Sequence, residues 1–262
     1  MLAALMLGQA AALAVTAPAP RFCPNRPDLG ASACTTEPGR VLVEASFVDW
    51  TRDDTADARE DTVLGFDFLA RFGVGPRTEV QLGWTPVAHL RTRDKATGAV
   101  STTDGVGDVR LAVRQNLRGN EGGAVALAVE PFVTLPIARA GLGAGDWSGG
   151  VVLPMSYALD DGWTVSFTGD ATVTPDEDSV GRQVVLGGAL GLGRGLSETV
   201  SVVGELAATR ERDGGRYRTA LVTALSLGWQ PRSGLQIDLL GVAGLNRAAP
   251  DLQMQVGGAI LF

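Results

Sequence analysis

One histidine, two cysteines and an excess of acids over bases are what this chain of 262 residues offers for chemistry, with 29 Asp and Glu against 22 Lys and Arg. His89 could act as general base to a serine such as Ser156 or Ser226, which would make the protein a lipid hydrolase. No serine stands in a nucleophile motif, and a histidine beside a polar stretch is ordinarily surface. Cys23 and Cys34 lie in a Pro- and Gly-rich segment behind an apolar leader. In an exported protein a disulfide closing that loop is expected, with two free thiols or a metal pair as alternatives. With a single histidine available, no metal or other cofactor is expected.

A glycine pattern, Gly105-Val106-Gly107-Asp108, needs separate treatment. No helix follows it, so it is no nucleotide fingerprint. Gly107 would let the chain turn into a strand, and Asp108 could accept from nearby backbone amides. The alternative makes Asp108 a solute contact at the mouth of a channel.

The elements that must position these groups are strands. From Gly39 onward, segments of about ten residues alternate apolar and polar positions, the period-two signal of a half-buried strand. The alternation predicts strands at roughly 40–51, 62–73, 78–90, 108–117, 124–135, 149–159, 163–173, 183–192, 200–209, 218–229, 235–245 and 252–262. The 35 glycines and 13 prolines are too many for a helical bundle, and 45% hydrophobic content excludes a disordered chain. A mean hydropathy of +0.14 fits a barrel with an apolar exterior and a polar interior. The net charge of −7, without a basic stripe, argues against nucleic acid as a partner.

Residues 1–17 read as a secretory signal peptide. A membrane anchor is the alternative, because no basic residue precedes the apolar run, but the run falls short of the ~20 residues a spanning helix needs. Residues 18–39 are expected to form a periplasmic N-terminal segment and 40–262 the barrel. The expected fold is therefore an all-β transmembrane antiparallel up-and-down barrel of about 12 strands in the outer membrane of a Gram-negative bacterium. Long and short connections alternate, as external loops and periplasmic turns do, which places both termini in the periplasm.

Parity then assigns faces. The lipid face would carry Val41, Val43 and Phe47, then Leu64, Phe66 and Phe68, then Val109, Leu111 and Val113. The lumen would carry Glu44, Asp67, Arg71, Glu79, Arg110, Arg114, Glu130, Asp170, Glu205 and Asp238. Charges in a narrow interior are costly unless paired, so most of these should form ion-pair networks; surplus carboxylates would favour cations. Small residues such as Ala126, Ala128, Gly187 and Ala189 would leave a narrow passage.

Given that topology, Phe72, Tyr157, Trp163, Trp229 and Phe262 all fall on the lipid face at the periplasmic end, an aromatic girdle. The alternative is that these rings belong to the core of a soluble sandwich. The final strand alternates to its last residue and stops on Phe262, which resembles the terminal strand read by barrel-insertion machinery.

Two places resemble a known family. Arg26-Pro27-Asp28, then Thr35-Thr36-Glu37-Pro38-Gly39 and a strand with Glu44, are similar to the opening of outer-membrane transporters associated with the meta-cleavage pathway of phenol degradation. Gly105-Val106-Gly107-Asp108-Val109-Arg110-Leu111 resembles that family's Gly-x-Gly-Asp start of a strand, and the spacing to Pro136 is similar. Ile137-Ala138 depart from the Thr-Gly that usually follows this proline, and Arg114 stands where the family has lysine. The resemblance implies an outer-membrane barrel passing small compounds, aromatic ones among them. The expected function is passive passage of a small solute, with outer-membrane lipids as partners. A non-conducting surface barrel acting through its Arg91–Gly107 loop is the alternative, and the lipid hydrolase a minor one.

Overall fold

The computed structural model describes residues 20–176, 181–213 and 215–262. The expected signal peptide, residues 1–17, lies outside the described residues. The strand segments are β1 Val41–Asp54, β2 Ala58–Gly75, β3 Thr78–Trp84, β4 Val87–Asp94, β5 Val100–Gly105, β6 Val109–Arg118, β7 Val125–Leu135, β8 Ser148–Ala158, β9 Trp163–Pro175, β10 Arg182–Gly195, β11 Val200–Asp213, β12 Arg216–Arg232, β13 Leu235–Gly244 and β14 Leu252–Leu261.

Pairing of β1 with both β2 and β14 closes the sheet. Both β3 and β4 run along β2, while β6 runs along β3 and β5 along β4. Each couple is one barrel strand with an interruption, so 14 segments make a barrel of 12 antiparallel strands. Pro86, which cannot donate to a ladder, sits in the first interruption. Closure satisfies the backbone groups that hydrocarbon cannot.

The start of β1 and the end of β14 lie at one end, where Phe262 N donates to Val41 O at 2.8 Å. At the opposite end several strands run past their expected limits. Asp54 faces Arg59, Arg93 faces Val100, and much of Arg91–Gly107, expected to be a loop, is a β4–β5 hairpin. Outside hydrocarbon a polar sequence can still pair, and opposite charges across a ladder favour it. The apolar alternation that marked the strands ends where the hydrocarbon ends, so it could not reveal these extensions.

Two irregularities change which residues face inward. Phe47 and Val48 are both turned outward, each 49% exposed, and the β1–β14 register shifts between Ser46 and Val48. In β2, Phe66 adopts φ 55°. Beyond it Leu64 pairs with Asp49 and Ala88, both buried, so Leu64 faces the lumen and not the lipid face expected of it. A one-residue slip moves every later side chain across the wall, and strict parity carried through such a slip fails.

The N-terminal segment is the largest departure. Residues 20–39 do not extend away into the periplasm; they enter the barrel and fill the half of the lumen nearest the termini, as a plug. Gly73 and Gly257 make room for it: a Cβ at Gly73 would lie 1.9 Å from Glu37 O, and one at Gly257 would lie 2.4 Å from the Arg26 guanidinium. The physical reason is satisfaction of polar groups. Among the described residues Glu205 and Asp238 form no ion pair with an arginine of the barrel wall, and the segment brings backbone N–H donors to the first and the Arg26 guanidinium to the second.

Candidate functional site

Charged residues converge on the lumen from β1, β2, β3, β6 and β7. Arg71, fully buried, donates to Glu44 at 3.0 Å and Glu79 at 2.8 Å. Arg114, equally buried, lies 3.4 Å from Glu79 and donates through Nε to Glu130 at 2.6 Å. Arg110 completes the chain at Glu130, 2.7 Å away, and its guanidinium lies 4.2 Å from the centre of the Phe132 ring. Gln81 donates Nε2 to both Glu79 and Glu130. Alternate residues on neighbouring strands create this ladder, because cross-strand partners share a face.

The plug extends the network. Backbone N–H groups of Asn25 and Arg26 donate to Glu44, and that of Thr36 to Glu79. Arg26 donates to Asp238 at 2.8 Å and to Ser46 at 2.6 Å. On the far wall Glu205 accepts from Leu29 N at 2.7 Å and Gly30 N at 3.1 Å, and the Thr168 hydroxyl accepts from Ala31 N at 2.9 Å. A disulfide joins Cys23 to Cys34, whose Cα atoms are 6.4 Å apart. The carbonyls of both cysteines accept from Arg71, each at 2.9 Å. One guanidinium thus holds both ends of the disulfide loop.

Two cavities flank the plug. The one toward the long loops has a volume of about 450 Å³ and is lined by Asp67, Leu69, Gln81, Asp108, Arg110, Val152 and Asp170, among others. The one toward the termini has a volume of about 300 Å³ and is lined by Ser156, Thr164, Ser166, Arg194 and Ser201 together with plug residues. Asn25, Gly30 and Ala31 line both, so this part of the plug is the partition between them. Asp67 accepts from Thr85 at 2.6 Å; among the described residues neither Asp67 nor Asp170 forms a salt bridge, and Gln81 Oε1 has no hydrogen-bond partner.

Of the lumen residues expected from parity, Glu44, Arg71, Glu79, Arg114, Glu130, Glu205 and Asp238 are buried on the inner face, and Asp67, Arg110 and Asp170 line the larger cavity. Asp108 also lines it, and accepts from Ala138 N at 2.9 Å and Ala144 N at 3.2 Å, pinning the 136–147 loop over the start of β6. Phe72, Tyr157, Trp229 and Phe262 are exposed on the outer surface near the end that holds the termini, and Trp163 starts β9 at that same end under the Arg194 guanidinium. His89 pairs with Asp104 at 2.6 Å on the outer face, whereas the Ser226 hydroxyl points inward and donates to Asp28. The two sides of the wall hold them apart. Asn25, Arg26, Gly30 and Ala31 were missed as lumen residues, and the Arg-Pro element and glycines of that segment were the signals that could have raised them.

Several solved structures share this architecture. The COG4313 outer membrane channel from Pseudomonas putida F1 is 16% identical, matches over 87% of this chain and 97% of its own, and superposes with a TM-score of 0.68. The translocator domain of the autotransporter NalP from Neisseria meningitidis is 13% identical over 86% of this chain and 88% of its own, with a TM-score of 0.53. The NanC porin is 8% identical over 84% and 98%, also with a TM-score of 0.53. At such identities the likeness is one of fold, and that fold is the outer-membrane barrel. No curated protein sequence matches the chain. The family model described as "Putative MetA-pathway of phenol degradation" matches residues 24–262, plug and barrel together, and the chain belongs to that family.

Proposed function

We propose that this protein is a narrow outer-membrane channel for passive passage of a small solute, with no catalytic step and no cofactor. The observation that carries the reading is the pair of cavities meeting at Asn25, Gly30 and Ala31. Of these, Gly30 and Ala31 are held by hydrogen bonds to Glu205 and Thr168, and Asn25 by one to Glu44. The long loops face outward from the cell and the turns face the periplasm.

The outer chamber favours a particular solute chemistry. Asp67, Asp170 and Gln81 Oε1 are acceptors without ionic partners among the described residues, and Leu29, Leu69 and Val152 add apolar wall. Such a surface suits a small amphiphile that donates a hydrogen bond, and it disfavours anions. Phenols have that chemistry, in keeping with the pathway for which the family is described. Liposome uptake across a panel of phenol, toluene and benzoate tests this. Because neutral phenol and toluene also cross lipid, uptake is read as the increase over protein-free liposomes: it should be greatest for phenol and least for benzoate, and no increase for any of the three would overturn the channel reading.

The extent of the plug favours a second reading, a barrel that never conducts and serves through its external surface. The same liposomes separate the two. A hydrolase finds no support in the placement of His89, which shares a face with Asp104 and not with Ser226.

A further inference from the structure

An acidic protein would not be expected to carry a basic patch, yet one stands on the outer face of β1, β2 and β4 at the long-loop end. Arg52, Asp61 and Arg91 form one cross-strand row, and Asp54, Arg59 and Arg93 the next. Partners across a ladder share a face, and the row beneath contains Trp50, Val63 and His89. Below that lie Val48 and Val87, about half exposed. On β1 and β4 the outer face therefore passes from Val48, Trp50 and Val87 to arginine at a common height, with Asp61 of β2 between the two arginines and the His89–Asp104 pair just below.

The acids within the patch leave cationic capacity unused. Asp61 accepts from Arg52 Nε at 2.9 Å and Arg59 Nε at 3.1 Å, and Arg91 stands 4.0 Å away. Asp54 is occupied by Lys95. By engaging Asp61 through Nε, Arg52 and Arg59 each leave the terminal Nη edge of a planar guanidinium, and among the described residues no acceptor is paired with those edges. Arg52 is further oriented by the Trp50 ring, 4.6 Å from its guanidinium carbon. A central carboxylate that turns several guanidinium groups outward presents a fork of parallel N–H donors, the geometry that binds phosphate bidentately.

We propose that this patch is a binding site for the phosphate of a phosphorylated glycolipid in the outer leaflet. Its position at the apolar-to-polar boundary puts the donors at headgroup height, with the acyl chains lying against Val48, Trp50 and Val87. The proposal rests on placement of the long loops outside the cell, but not on conduction, so it can fail while the channel reading stands.

Native mass spectrometry of the full-length mature protein in detergent tests it, with diphosphorylated lipid A, dephosphorylated lipid A and phosphatidylglycerol as probes. Wild type should retain diphosphorylated lipid A at least about tenfold better than the dephosphorylated form. The triple variant R52Q/R59Q/R91Q should lose that preference, while R77Q/R118Q/R232Q, an equal change of charge near the other end, should keep it. Equal loss in both triples would reduce the effect to net charge and overturn the site. A wild type that does not distinguish the two lipid A forms would overturn it without recourse to any variant. Equal retention of phosphatidylglycerol would overturn the choice of glycolipid.

Discussion

Removal of the Glu205 carboxylate should loosen the partition between the two cavities. Its Oε2 and Oε1 accept from Leu29 N and Gly30 N, the residues adjoining Ala31. Hydrogen bonds to a charged group contribute roughly 1.5–3 kcal/mol each, so Glu205→Ala forfeits on the order of 3–6 kcal/mol of direct interaction. Against this, the variant no longer buries a carboxylate that is 3% exposed, and that relief offsets about half of the loss. A net weakening of about 1.5–3 kcal/mol raises the ratio of displaced to docked partition by about 10- to 150-fold. Glu205→Gln keeps one acceptor oxygen and should fall between variant and wild type. Single-channel recording in planar bilayers is the assay: Glu205→Ala should show longer or larger openings, with Glu205→Gln intermediate. Conductance unchanged in a folded Glu205→Ala barrel would refute the idea that this stretch of plug limits passage.

Other perturbations probe the supports of the plug and the loops. Arg71→Ala leaves Glu44 and Glu79 without their shared cation in a buried site, and should destabilise the barrel by about 3–5 kcal/mol, read as a lower unfolding temperature in detergent. Replacing Cys23 and Cys34 with serine removes a cross-link worth about 2–4 kcal/mol and should raise the hydrogen exchange of residues 23–34 while leaving exchange in the strands unchanged. Asp108→Ala takes away the acceptor for Ala138 and Ala144, so limited proteolysis should cut within the 136–147 loop faster than in wild type, with cleavage elsewhere unaltered. Asp94, at the tip of the β4–β5 hairpin, is held below the usual carboxylate range by hydrogen bonds from the Thr97 backbone and hydroxyl. A depressed carboxylate stabilises the folded form above its unfolded value and loses that effect as pH falls through the folded one, so the protection of the Thr97 amide, its exchange rate relative to the intrinsic rate at the same pH, should fall only below about pH 4.

The sequence by itself determined the barrel, its approximate strand count and the charged character of its interior. Period-two alternation is a local property, and it forces each strand to present one face to hydrocarbon and the other inward wherever the sheet closes. Glu44, Arg71, Glu79, Arg114 and Glu130 could be placed in the lumen on that ground alone, because each lies an odd number of residues from the apolar residues that mark the lipid face of its strand. Leu64 could not, since a single residue at φ 55° reverses the parity and nothing in an alternating pattern announces it. Only the tertiary structure decided where residues 20–39 go. A segment without periodicity has no face of its own, and its position follows from the lumen carboxylates that need its donors and from glycines 73 and 257 that admit it. Which groups pair and which stay open to a solute depends on contacts between residues as far apart in the chain as Arg26 and Asp238, and such contacts come into being only when the barrel closes around the plug.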